Sequence, residues 1–156
     1  MSNNQGKNDH KKEEKDLESR LVEIKRVTRV VSGGKRLSFR ALVVIGNKDG
    51  QVGLGVSKGK DVSQAISKAT HQAKKSTINV PIKESTIPRE IKAKYGAAVV
   101  LLKPARIGRG IVAGSIVRVI CELSGIENIV AKILSKSTNK INNGRATIEA
   151  LKKLSR

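Results

Sequence analysis

Apolar and polar positions alternate at two different periods along this chain, and each change of period marks a new element. At residues 21–31, LVEIKRVTRVV spaces Val22, Ile24 and Val27 much as along one face of a strand. SGGKR interrupts it, and Gly33-Gly34 predicts a turn or mobile tip. LSFRALVVIG is a second, more buried strand with Phe39, Ala41, Val43 and Ile45 on one face. NKDG at 47–50 is a hairpin signal, and QVGLGVS is the returning strand. The period then changes to 3.6. Behind Asp61, a suitable N-cap, Val62, Ala65, Ile66, Ala69 and Ala73 share one stripe, opposite Gln64, Lys68, His71, Lys74 and Lys75.

A second run begins near Val80-Pro81. Residues 82–105 predict two strands, the stronger from Ala97 to Lys103. RIGRG is a glycine-rich basic loop. IVAGSIVRVICELSG predicts a helix with Ile111, Val112, Ile116, Val119, Ile120 and Leu123 inward and Gly125 at C′. IENIVAKIL is a further strand, SKSTNKINNG a polar connection, and RATIEALKKL a closing helix with Ile148, Leu151 and Leu154 on one side. KDLESR, ahead of the first strand, predicts a short helical turn. The expected fold class is α+β in two small domains: a three-stranded sheet plus helix at 17–80, and a β-α-β-α unit at 81–156. Residues 1–16 read as a disordered polar tail.

Charge turns this scaffold toward a partner. The 156 residues carry 32 Lys and Arg against 13 Asp and Glu, a formal +19. In the tail, Lys7, Lys11, Lys12 and Lys15 cancel Asp9, Glu13, Glu14 and Asp16, so the whole excess sits on the body. Such an excess repels itself and fits a polyanion partner. The only aromatic residues are Phe39 and Tyr95. That is too few to stack single-stranded bases, so recognition leans on phosphate, sugar and shape, as in double-stranded or folded RNA.

Other chemistry is poorly supported. GQVGLGVSKGK, at 50–60, packs four glycines and two lysines, but it misses the Walker register at Leu54 and the dinucleotide register at Lys58. Its glycines instead suit a strand that another backbone approaches closely. Lys58 and Lys60 stand just ahead of a helix N-terminus, which favours phosphate. PARIGRGIVAGS loosely suggests a kinase phosphate loop, yet none of the nine acids after residue 16 clusters around it. No enzyme, metal site or cofactor is expected. Cys121, the lone cysteine, is expected in the core, and no disulfide can form within the chain. The start has no apolar h-region and no segment is long and apolar enough to span a bilayer, so a cytoplasmic protein with no membrane partner is expected.

The stretch RVVSGGKRLSFRALVVIGNKDGQVGLGVSKGKDVSQAISKA, with STINVPI after it, resembles the bacterial family of small-subunit ribosomal protein number five. LLKPARIGRGIVAGSIVRVICELSGIENIVAKILSKSTN and RATIEAL resemble that family's second domain. The resemblance covers about residues 17–154. It implies a double-stranded-RNA-binding-like first domain and a structural role on 16S rRNA. It also implies contacts with small-subunit proteins four and eight, stabilisation of head against body, a place near the channel where mRNA enters, and support of translational accuracy. By the same resemblance Arg26, Arg29, Gly33, Gly34, Lys35 and Arg36 form a loop reaching head rRNA. Lys58 and Lys60 are a basic pair before the helix, and Gly110 and Arg118 meet protein four. The family commonly has Glu-Gly-Thr-Gly where this chain has RIGRG, so Arg106 and Arg109 add positive charge and further rRNA contact there. Lys68, Lys74 and Lys75 complete the expected rRNA-binding set. The alternative reading is a general double-stranded-RNA-binding protein outside the ribosome.

Overall fold

A computed structural model describes residues 17–155; the expected tail at 1–16 lies outside the described residues. The chain opens with β1 (Glu18–Val31), β2 (Gly34–Gly46) and β3 (Gln51–Gly59), followed by α1 (Val62–Lys75) and the short β4 (Ile78–Asn79). These strands form one antiparallel sheet in the order β1-β2-β3-β4. The second half contains β5 (Ile91–Tyr95), β6 (Ala98–Pro104), β7 (Ile111–Val112), α2 (Ser115–Ser124), β8 (Ile129–Ile133) and α3 (Lys140–Leu154). Its sheet runs β5-β6-β8-β7, with β7 parallel to β8.

The run Ala41–Gly46 is buried at every position, so β2 is covered on both faces. Ala41, Val43 and Ile45 meet Ala65, Ala69 and Ala73 of α1. Leu42 and Val44, with Val52, point the other way and join Ile116, Val117, Ile120, Leu123, Val100 and Leu151 of the second half. The two sheet-and-helix units therefore share a core. Each fully buried Leu or Val contributes about 2 kcal/mol by removal from water.

The hairpin turn at 47–50 fastens the same junction. Lys48 and Gly50 donate their backbone N–H groups to the carbonyls of Leu123 and Ser124, at 2.9 and 2.8 Å. Those are unpaired acceptors at the C-terminal end of α2, so the first unit caps a helix of the second. Arg20 adds an ion pair to Glu122.

Several expected elements change. Where a helical turn is expected at KDLESR, residues 18–20 are the start of β1, which carries a bulge between Leu21 and Glu23; that bulge disrupts the simple alternation. The helix expected from Ile111 begins at Ser115, because β-branched Ile111 and Val112 pair with Ile129 and Val130. Inside α2, Val117 and Cys121 are fully buried while Val119 is only partly so. The polar connection ends early: α3 starts at Lys140, where the Asn139 side chain accepts from the Ile141 N–H at 3.0 Å.

Candidate nucleic-acid interface

The turn or mobile tip expected at Gly33-Gly34 is the turn of a closed two-residue hairpin. Val31 pairs with Gly34, leaving Ser32 and Gly33 as the turn. The register of β3 against β2 ends at Phe39↔Gly59, so the five β1–β2 pairs beyond it project past the sheet. At about 3.4 Å per residue the projection is roughly 17 Å long.

Strand alternation sorts the hairpin's side chains. One face carries Lys25 opposite Arg40, Val27 opposite Ser38 and Arg29 opposite Arg36. Arg40 also pairs with Lys58, so Lys25, Arg40 and Lys58 form a row across three strands. Like charges directly opposite across a ladder destabilise a sheet, and here two such sets stand close together. Glu23 offsets part of the row, lying 3.5 Å from both Lys25 and Lys140. From Ile24 to Lys48 the chain has no acidic residue. The arrangement concentrates positive charge on one face, and two open strand edges guarded by cations resist pairing with other chains.

Arg29, Gly33, Gly34, Lys35 and Arg36 thus lie on one projecting element with Arg26 at its base; Arg29 and Arg36 share one face, Arg26 and Lys35 the other. Lys58 does not sit with the α1 N-terminus as expected. It occupies the sheet face opposite α1, whereas Gly53, Gly55 and Gly59 face the helix. Lys60 remains at the helix start, where its N–H donates to the Gln64 side chain at 3.0 Å. Asp61 occupies the N-cap position, but its carboxylate accepts from the Ser63 hydroxyl at 2.6 Å, which holds it below the usual carboxylate range. Lys68, Lys74 and Lys75 are exposed along α1, a surface separate from the Lys25–Arg40–Lys58 row. Sequence reasoning missed Lys25 and Arg40. Arg40 was hidden inside an apolar run, although the alternation Arg36, Ser38, Arg40 on β2 carried the signal.

Arg106 and Arg109 flank a tight turn closed by the Arg109 N–H to the Arg106 carbonyl at 3.2 Å. Asn128, nearly buried, shapes this loop from beneath, its side-chain oxygen accepting from the Gly108 and Gly110 N–H groups at 3.0 Å each. Those N–H groups are the ones a phosphate loop would offer to a nucleotide, and the protein uses them itself. Both arginines stay exposed. Gly110 leads into β7, and Arg118 on α2 donates to the Ala113 carbonyl at 3.3 Å. Arg118 also lines a groove with Arg20, Lys48, Glu122 and Glu127. Beside that groove, Lys48 lies 2.6 Å from Glu18 and holds that carboxyl below its usual range.

Of the two aromatic rings, only Tyr95 is exposed. Phe39 packs against the α1 core. Tyr95 accepts a hydrogen bond from Arg145 at 2.8 Å, and that guanidinium sits 5.3 Å from the ring centre. Among the described residues no group of three His, Cys, Asp or Glu is placed to hold a metal ion, and no helix is long and apolar enough to cross a membrane.

Residues 17–81 match the family model described as ribosomal protein S5, N-terminal domain, and residues 93–156 match that of its C-terminal domain. The chain belongs to the ribosomal protein S5 family. It is 50% identical over 155 residues to "Small ribosomal subunit protein uS5c" of Rhodomonas salina, covering 99% of this chain and 92% of that protein. It is 49% identical over 139 residues to "Small ribosomal subunit protein uS5" of Thermotoga neapolitana, covering 89% and 78%. The same name is carried by a Persephonella marina protein, 50% identical over 135 residues and covering 86% and 70%. Family membership makes the protein a structural, non-enzymatic constituent of the small ribosomal subunit, and RNA binding in a ribonucleoprotein follows from it.

Proposed function

We propose that the chain binds 16S rRNA mainly through the β1–β2 hairpin and holds head against body in the small subunit, supporting translational accuracy. The single observation that carries this reading is the projecting hairpin, with opposed cations and no acid between Ile24 and Lys48. Phosphates crowding around it would relieve the repulsion within the ladder. Lys60 at the start of α1, Lys68, Lys74 and Lys75 on its outer surface, and Arg106 and Arg109 in the loop between β6 and β7 reach further rRNA elements. A rigid body joining these surfaces keeps those elements in register.

Gly110 and Arg118 form the contact with small-subunit protein four, with protein eight also adjoining and mRNA passing near its point of entry. The setting is a ribosome in the cytoplasm. Sedimentation of the tagged protein from lysate, at low salt and again near 1 M salt, tests the reading. At the higher salt the screening length falls to about 3 Å, so loose electrostatic binding collapses. Stoichiometric retention in the small-subunit peak at both salts is expected. Loss to the top of the gradient at high salt would favour a general double-stranded-RNA binder instead.

A further inference from the structure

The hairpin's second face has a different character from its cationic one. Arg26 opposite Phe39, Thr28 opposite Leu37 and Val30 opposite Lys35 point to the α1 side of the sheet. The helix covers only the base of the hairpin, at Phe39 and below. Beyond it Val30 is 76% exposed and Leu37 53% exposed. They are diagonal neighbours across the ladder, about 7 Å apart, which is close enough to form one apolar seat. Phosphate recognition uses no aliphatic side chain, so the electrostatic account leaves this pair unexplained.

Resting on the rRNA reading above, we propose that Val30 and Leu37 seat an unpaired RNA nucleobase whose flanking phosphates are held by Arg26 and Lys35. Charge complementarity selects the occupant. Arg26 and Lys35 share the seat's face, Lys25, Arg29, Arg36 and Arg40 line the other face of the same strands, and the stretch has no acid. Its partner therefore offers an apolar surface and dense negative charge together. An unstacked base on a ribose-phosphate chain has both, because its flat face is apolar while its backbone is anionic. No aromatic ring is available on the hairpin tip, so the aliphatic pair takes the place of a stacking platform. The hairpin is then a two-sided reader, with one face on phosphate and the other on a base.

The test uses the full chain and transcribed 16S rRNA. It reads affinity against salt, base reactivity to dimethyl sulfate, and backbone protection from hydroxyl radicals. Both residues lie outside the core, so V30T/L37N leaves the fold intact, as circular dichroism checks. The expected result is about a tenfold loss of affinity with the salt slope unchanged, since two apolar contacts go and no charge does. A small set of bases becomes reactive while the backbone footprint persists, and Leu37→Phe keeps or tightens binding. Unchanged affinity and base reactivity in V30T/L37N overturns the seat. So does a defect seen only in whole subunits and not on naked rRNA, which assigns the pair to a protein neighbour. In parallel, R29E/R36E must lower both affinity and salt slope. If it changes neither, the rRNA reading of the hairpin itself fails, which separates the two claims.

Discussion

At Gly55 a Cβ atom would lie 1.9 Å from the Ala69 carbonyl oxygen and 2.7 Å from the Ala73 nitrogen. Gly53 meets the Ala73 carbonyl in the same way, at 2.4 Å. The glycines of β3 therefore let α1 lie directly on the sheet, its alanine stripe against bare backbone, and the apparent phosphate loop is a packing device. Gly55→Ala must push the helix away, and a loss of about 2–3 kcal/mol is expected in denaturant unfolding. Asn128 carries an equivalent burden in the second unit by holding the Gly108 and Gly110 N–H groups. Cys121 follows different physics. It is fully buried in α2, and burial pushes its thiol up to about 12, from an ordinary 9.0. The unfolded chain releases that proton first as pH rises, so above about pH 9 the folded state binds more protons and stability falls. The slope from this one group is at most about 1.4 kcal/mol per pH unit. Cys121→Ala should flatten the alkaline limb of a stability–pH curve. A thiol reagent at pH 8 should label the native protein only as fast as it opens.

Among the elements, the hairpin makes a prediction with opposite signs in two assays. Arg29 and Arg36 stand directly opposed on exposed strands, and Arg29→Glu turns a like-charged pair into a complementary one. The free protein should gain roughly 0.2–1 kcal/mol of stability, seen as a small rise in melting temperature. Its affinity for small-subunit rRNA should fall, with a shallower dependence on salt. A merely solvated loop would show the first change without the second. The sequence made this element half legible. Its cations were plain and SGGKR read as a turn or mobile tip; the ladder continues to the last residue on each side, so the turn is the form adopted. Alternation then separated the faces in a way that counting charges could not, bringing in Arg40 from a run that looked like core. The α2 boundary failed for a related reason: Ile111 and Val112 fit a helical stripe as well as a strand. Only pairing with β8, remote in the chain, decides between them.

In the whole molecule, the apolar run of β2 was legible as buried, but the sequence could not say by what. One face belongs to α1, and the other belongs to elements at least 50 residues further along the chain. Period-2 reasoning assumes one covered face, so it assigned only Phe39, Ala41, Val43 and Ile45 inward and treated the halves as separate. The shared core, the turn at 47–50 capping α2 and the Arg20–Glu122 pair imply a single cooperative unit. A fragment of residues 17–81 would expose Leu42, Val44 and Val52 together while keeping most of the self-repulsion of the hairpin. At about 2 kcal/mol per lost burial, the deficit is comparable to the net stability of a small domain. The fragment is expected to bind a hydrophobic dye and to lack a cooperative thermal transition. Adding residues 82–156 in trans should restore the transition, because the missing surface is supplied without a covalent link. Intact protein should in turn show one transition, with the calorimetric and van't Hoff enthalpies equal. Two separate transitions in the full chain would mean that the units are independent beads. A rigid spacer between distant rRNA elements would then have to come from the ribosome and not from this protein.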